Sequence, residues 1–99
     1  MTLQDLIDGV CLLDEAPSQS AGVKRLHKEV RLIDLKAKLA KQPTVYLNRR
    51  LASLSHAAEA ALRADIEAAT GQIDTSQGDV DTAFERAVST MESLVTHPN

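Results

Sequence analysis

The fold is decided by residues 20–41, which read SAGVKRLHKEVRLIDLKAKLAK. Apolar residues recur there at alternating steps of three and four, the spacing that places side chains in one row along a helix. That row comprises Val23, Leu26, Val30, Ile33, Ala37 and Ala40. A second row, on a different side of the same predicted helix, comprises Leu32, Leu35 and Leu39. The segment is therefore predicted to be the central helix, with two faces to bury.

Start and stop signals predict a helix on each side of this segment. The first spans about residues 3–15, because Thr2 and Asp5 have the spacing of a capping box and apolar residues follow at helical intervals. Pro43 disfavours helix at the residue before it and fits the first turn of a new helix. The third helix is therefore predicted at about residues 44–70.

The remaining apolar pattern predicts a fourth helix at about residues 80–96, after a loop rich in Gly, Ser, Thr and Asp. Since no stretch has the pattern of a strand, we expect residues 1–99 to form one all-α domain. The second and third helices are expected to pair as a long antiparallel hairpin, on which an elongated three- to four-helix bundle is built.

Bulky side chains are scarce in this chain. Its aromatic residues are Tyr46 and Phe84, and much of its apolar content is alanine. Burial contributes roughly 25 cal/mol per Å² of apolar surface, against a backbone entropy cost of similar total size. A slim bundle is thus expected to be marginal as a monomer and to leave one apolar row open for a partner. We predict that this row is Leu32, Leu35 and Leu39, and that Leu35→Glu weakens association without abolishing helicity.

Charge is strongly segregated along the chain. Residues 24–50 contain nine basic and two acidic residues, a local charge of +7, whereas the remainder contains two basic and twelve acidic residues, a charge of −10. One interpretation is that the acidic first and fourth helices pack beside the basic second helix. The alternative is an exposed basic face that binds an acidic protein or nucleic acid. The candidate face comprises Lys24, Arg25, Lys28, Arg31, Lys36 and Lys38.

The sequence offers little that a catalytic or metal site requires. Its histidines, His27, His56 and His97, share no i, i+4 pairing, and the single cysteine, Cys11, has no C-x-x-C neighbour. Cys11 lies among apolar residues and is expected to be buried. The acidic loop before the fourth helix is no EF-hand, because Gly78 occupies the fifth position of the loop and not the sixth. We predict no catalytic residue, no metal and no cofactor.

A histidine phosphotransfer domain is a minor alternative, because this chain has the size of such four-helix domains and mid-helix histidines. In that family the phosphorylated histidine is typically followed by a lysine three residues on and then by a glycine. The corresponding positions hold valine and arginine after His27, and glutamate and alanine after His56. Neither histidine fits that pattern.

The leading hypothesis is a small non-enzymatic protein–protein interaction module, such as an adaptor, a chaperone-like protein or a regulatory subunit, which self-associates as a homodimer or binds another protein. The alternative is a nucleic-acid-associated helical protein that uses the basic segment 24–50. The acidic remainder and the shortage of aromatic side chains argue against that alternative. The longest uninterrupted apolar run, residues 9–13, is too short to span a membrane or to act as a secretory signal, so a cytoplasmic protein is expected.

Overall fold

The computed structural model describes residues 1–15, 23–71 and 79–96, and within them the chain forms helices and no strand. The helices are α1 (Leu3–Glu15), α2 (Val23–Lys41), α3 (Thr44–Ala52), α4 (His56–Ala69) and α5 (Asp79–Thr96). The predicted all-α class is thus confirmed for the described part of the chain. The start predicted for the second helix, at about residue 20, lies outside the described residues. None of the helices formed by the described residues combines the length and the apolar character needed to cross a membrane.

The capping box predicted at the start of α1 is present. The Thr2 hydroxyl accepts a hydrogen bond from the Asp5 N–H at 3.2 Å, and the Asp5 carboxylate accepts one from the Thr2 N–H at 3.0 Å. These bonds satisfy backbone donors that the start of a helix otherwise leaves without a partner. Beyond the cap, Leu6, Val10 and Leu13 recur at steps of four and three and are buried. The first helix therefore presents a single apolar face to the core.

The helix predicted at residues 44–70 is two helices, and the prediction of one continuous helix is wrong. The break lies at residues 53–55 between α3 and α4. The Ser53 hydroxyl donates a hydrogen bond to the Arg50 carbonyl at 2.6 Å and closes α3. The Ser55 hydroxyl accepts one from the Ala58 N–H at 3.1 Å and opens α4. Serine side chains thus satisfy backbone groups at both helix ends, which offsets the hydrogen bonds that the break removes.

The pairing of the helices differs in part from the one that the sequence predicts. The most extensive helix pair is α4 with α5, while α2 packs mainly against α1 and α5. The expected hairpin of the second and third helices is therefore not the framework of the fold, because α3 is only nine residues long. The Cα radius of gyration is 13.1 Å, close to the roughly 13 Å expected of a compact chain of 100 residues. Its principal-axis extents are 37 × 26 × 19 Å, so the compact bundle is longest in one direction.

A close approach of α1 and α4 occurs at Gly9. A Cβ atom on this residue would lie 2.8 Å from Cδ1 of Ile66 on α4 and 3.8 Å from Cε of Met91 on α5. Carbon atoms in contact prefer separations of about 3.5–4.0 Å, so any side chain here would have to displace Ile66. Gly9 thus lets α1 lie close to α4, and the other side of α1 packs against α2.

Candidate protein-interaction surface

The leucine row of α2, which we predicted to stay open, is part of the core. Leu32, Leu35 and Leu39 are 3%, 0% and 8% exposed. The physical reason lies in the neighbours of the helix: α1 and α5 both pack against α2, and a row made only of leucine offers more apolar area to bury than a row that contains alanine. The assignment of these leucines to an open partner surface is therefore corrected.

The other row of α2 is the exposed one. Leu26, Val30 and Ile33 are 62%, 56% and 65% exposed, and Ala37 and Ala40, which continue the row, are exposed as well. These five residues form what we call the α2 row. Single exposed apolar residues are common on protein surfaces, but a run of large aliphatic side chains along one line of a helix is typical of interaction sites. The side chain of Val23, the sixth residue of the predicted row, lies outside the described part of the chain.

Polarity is inverted in the N-terminal half of α2. In the turns before the buried leucines, the inward positions are occupied by Lys28 and Arg31, whose side chains are only 16% and 18% exposed. A helix at a protein surface normally directs apolar side chains inward and charged ones outward. Here two cationic side chains point toward α5 while Leu26 and Val30 point toward solvent. This inversion leaves the α2 row uncovered by the part of the chain that the structure describes.

The inward cations of α2 are held by carboxylates of α5. Arg31 donates hydrogen bonds to Glu85 at 2.5 Å and to Glu92 at 2.7 Å. Burial lowers the pKa of Arg31, but its hydrogen bonds to Glu92 and Glu85 outweigh that effect and the pKa is raised. Lys28 forms an ion pair with Asp81, and its Nζ atom lies 4.9 Å from the centroid of the Phe84 ring.

The rest of the predicted basic face is also engaged with carboxylates. Lys36 pairs with Asp14 of α1 at 2.7 Å, and this hydrogen bond raises the pKa of Lys36. Two further pairs lie within α2, at one-turn spacing: Lys38 with Asp34 at 3.0 Å, and Arg25 with Glu29 at 3.3 Å. The Lys24 side chain lies outside the described residues. Basic α2 is thus compensated in large part by acidic α1 and α5.

An apolar groove of about 470 Å³ lies at the C-terminal end of the α2 row. It is bounded by α1, the last turns of α2 and the start of α3, and Ala40 lines it as well as ending the row. Cys11 lines the same groove and is exposed, so the expectation that it is buried was wrong. Cys11 follows Val10 on α1, and a step of one residue turns its side chain about 100° away from the buried face.

The remaining sequence candidates do not come together. His27 and His56 are exposed on different helices, and His97 lies outside the described residues. Across residues 1–15, 23–71 and 79–96, the structure contains no group of three or more His, Cys, Asp or Glu side chains that could hold a metal ion. Comparison of the chain with known protein families, with curated proteins and with solved structures finds no match. The exposed α2 row is the candidate site that the described residues offer.

Proposed function

We propose that this protein is a non-enzymatic protein–protein interaction module, of the adaptor, chaperone-like or regulatory-subunit kind, and that it self-associates through the α2 row. The observation that carries the proposal is the exposure of Leu26, Val30 and Ile33, each of which is more than half accessible to solvent. Covering these side chains removes apolar area from water, which is the main favourable term in protein association. Lys28 and Arg31 pair with carboxylates of α5 on the opposite side of α2, an orientation in which the three aliphatic side chains face outward.

The test is the solution mass of the wild type and of Ile33→Glu, measured by light scattering over a wide concentration range. The wild type is expected to dimerise with rising concentration, whereas Ile33→Glu places a charge in the row and is expected to stay monomeric. The wild type and Ile33→Glu should give the same helical signal in circular dichroism, because Ile33 contributes little to the core.

A matched control is available on α3. Val45 is 71% exposed, comparable to Ile33 at 65%, but it lies outside the α2 row. Val45→Glu therefore introduces the same charge on a similarly exposed aliphatic position and is expected to dimerise like the wild type. A wild type that stays monomeric at every concentration, or an Ile33→Glu variant with the mass of the wild type, overturns the proposal.

Nucleic-acid binding by the basic segment has less support. A phosphate backbone would have to compete with Asp81, Glu85 and Glu92 for the inward cations of α2 and with Asp14 for Lys36. Such binding would be strongest at low salt. A labelled duplex and a labelled single strand, titrated at low ionic strength, are expected to show no change in fluorescence anisotropy.

A further inference from the structure

We propose that the occupant of the α2 row is a second copy of this chain, with the two α2 helices antiparallel about a two-fold axis near residues 31 and 32; this inference rests on the function proposed above. The α2 row follows alternating steps of four and three, so it has the heptad spacing of a coiled-coil seam. A seam of this kind fits another helix with the same spacing, and α2 of a second copy offers one. The orientation of that copy follows from the distribution of bulk and charge along α2.

The distribution of bulk along the α2 row favours the antiparallel orientation. Leu26, Val30 and Ile33 occupy its N-terminal half, and Ala37 and Ala40 its C-terminal half. In a parallel pair each residue faces its own copy, so the large side chains crowd one end and the alanines leave the other underfilled. In an antiparallel pair Val30 faces the partner's Ile33 and Leu26 faces the partner's Ala37. Large side chains then meet small ones, which fills the interface evenly.

The charges that flank the α2 row select the same orientation. Glu29 and Lys36 lie along one edge, and His27, Asp34 and Lys41 lie along the other. A parallel pair brings Glu29 beside the partner's Asp34 and Lys36 beside the partner's Lys41, which are contacts between like charges. An antiparallel pair brings Glu29 beside the partner's Lys36 and Asp34 beside the partner's His27. Charge therefore favours the antiparallel arrangement, because that arrangement gains the Glu29–Lys36 contacts and the parallel one brings like charges together.

The existing ion pairs leave these flanking groups able to reach a second copy. Glu29 and Asp34 are exposed, and their partners Arg25 and Lys38 lie one turn away on α2 itself. Exposed pairs at this spacing stabilise a helix only slightly. Lys36 has three N–H donors, so it can keep its hydrogen bond to Asp14 and still contact a carboxylate of the partner.

The first experiment reverses the charge at one edge and measures the dimer dissociation constant by sedimentation. In the antiparallel dimer Glu29→Lys puts two lysines side by side, at two symmetric contacts, and we expect Kd to rise roughly tenfold. Lys36→Glu should have the same effect, and the double variant Glu29→Lys/Lys36→Glu should recover the wild-type Kd. In a parallel dimer Glu29→Lys would instead attract the partner's Asp34 and tighten the dimer.

The matched control for this experiment is Glu67→Lys, which makes the same change in charge at an exposed position on α4. It is expected to leave Kd unchanged, since α4 is not part of the seam. A weakening by Glu67→Lys as large as that by Glu29→Lys would mean that only net charge matters, and it would overturn the assigned contacts.

The second experiment measures a distance. Spin labels are attached at position 41 in the variant Cys11→Ser/Lys41→Cys, which removes the single native cysteine. With a rise of 1.5 Å per residue, the antiparallel arrangement places the two labels roughly 30 Å apart, whereas a parallel one places them roughly 10 Å apart. A dimer with the short distance overturns the antiparallel arrangement and keeps the proposed function. A wild type that forms no dimer overturns both.

Discussion

At the scale of single residues, two neighbouring positions of α2 carry opposite roles. Leu35 is fully buried, and Ile33 is 65% exposed. We predict that Leu35→Ala lowers the free energy of unfolding by about 3 kcal/mol, because it removes buried carbon and leaves a cavity. Ile33→Ala, measured at a concentration where the chain is monomeric, should change it by less than about 0.5 kcal/mol. Urea unfolding followed by circular dichroism measures both; equal effects would contradict the assignment of the two rows.

Leu35 and Ile33 also show which part of the candidate site could be predicted from the sequence. Both rows of α2 follow from the spacing of the apolar residues, so their existence was predictable. Which row faces inward was not, because helical spacing is the same for a core face and for an exposed face. The choice depends on which helices pack against α2. Leu35→Glu, expected from the sequence to retain helicity, is now expected to unfold the chain because it buries a carboxylate.

At the scale of one element, the start of α1 couples folding to pH. The Thr2 backbone N–H is the largest influence on the pKa of Asp5, and it lowers that pKa; burial opposes it, and the Thr2 hydroxyl and Arg63 reinforce it. A carboxylate whose pKa is lower in the folded state stabilises the fold fully above its unfolded pKa of about 4. That stabilisation is lost as the pH falls through the folded pKa.

We therefore predict that Asp5 titrates below its ordinary range and that stability falls in acid. The pKa is measured from the carboxyl carbon shift of Asp5 by NMR, and the stability from the thermal midpoint between pH 6 and pH 3. Asp5→Asn removes this titrating group, so its thermal midpoint should fall less over that interval. An Asp5 pKa equal to or above that of an unperturbed aspartate would contradict the role of the cap.

The break between α3 and α4 was the element that the sequence argument missed. Leu47, Leu51 and Leu54 continue the helical spacing into the break, and alanines give strong helix propensity after it. Periodicity alone therefore predicts one helix. The signal lay in the serines at 53 and 55, whose hydroxyls compete for backbone groups and favour helix ends over helix interiors. By contrast, the start of α1 was predicted correctly, because both residues of its capping box, Thr2 and Asp5, can be recognised in the sequence.

At the scale of the whole molecule, charge segregation reflects packing between helices. Asp81, Glu85 and Glu92 follow one another at steps of four and seven, so they share one face of α5. That face meets Lys28 and Arg31 of α2. The match of acidic helices with a basic one was visible in the sequence, and it led to the interpretation that the first and last helices pack beside α2. It could not have predicted that the cations lie inward, since this follows from how α1 and α5 together cover the leucines.

The inward ion pair of Arg31 also orients the α2 row, and its strength is testable by a double-mutant cycle. Glu92 is less exposed than Glu85, at 26% against 54% for their side chains, so water screens its contact with Arg31 less. We predict a coupling of about 1 kcal/mol between Arg31→Gln and Glu92→Gln in urea unfolding, and a smaller one with Glu85→Gln. We also expect Arg31→Gln to weaken the dimer, because Arg31 holds the inward face of α2 against α5. Strictly additive effects would contradict the pairing.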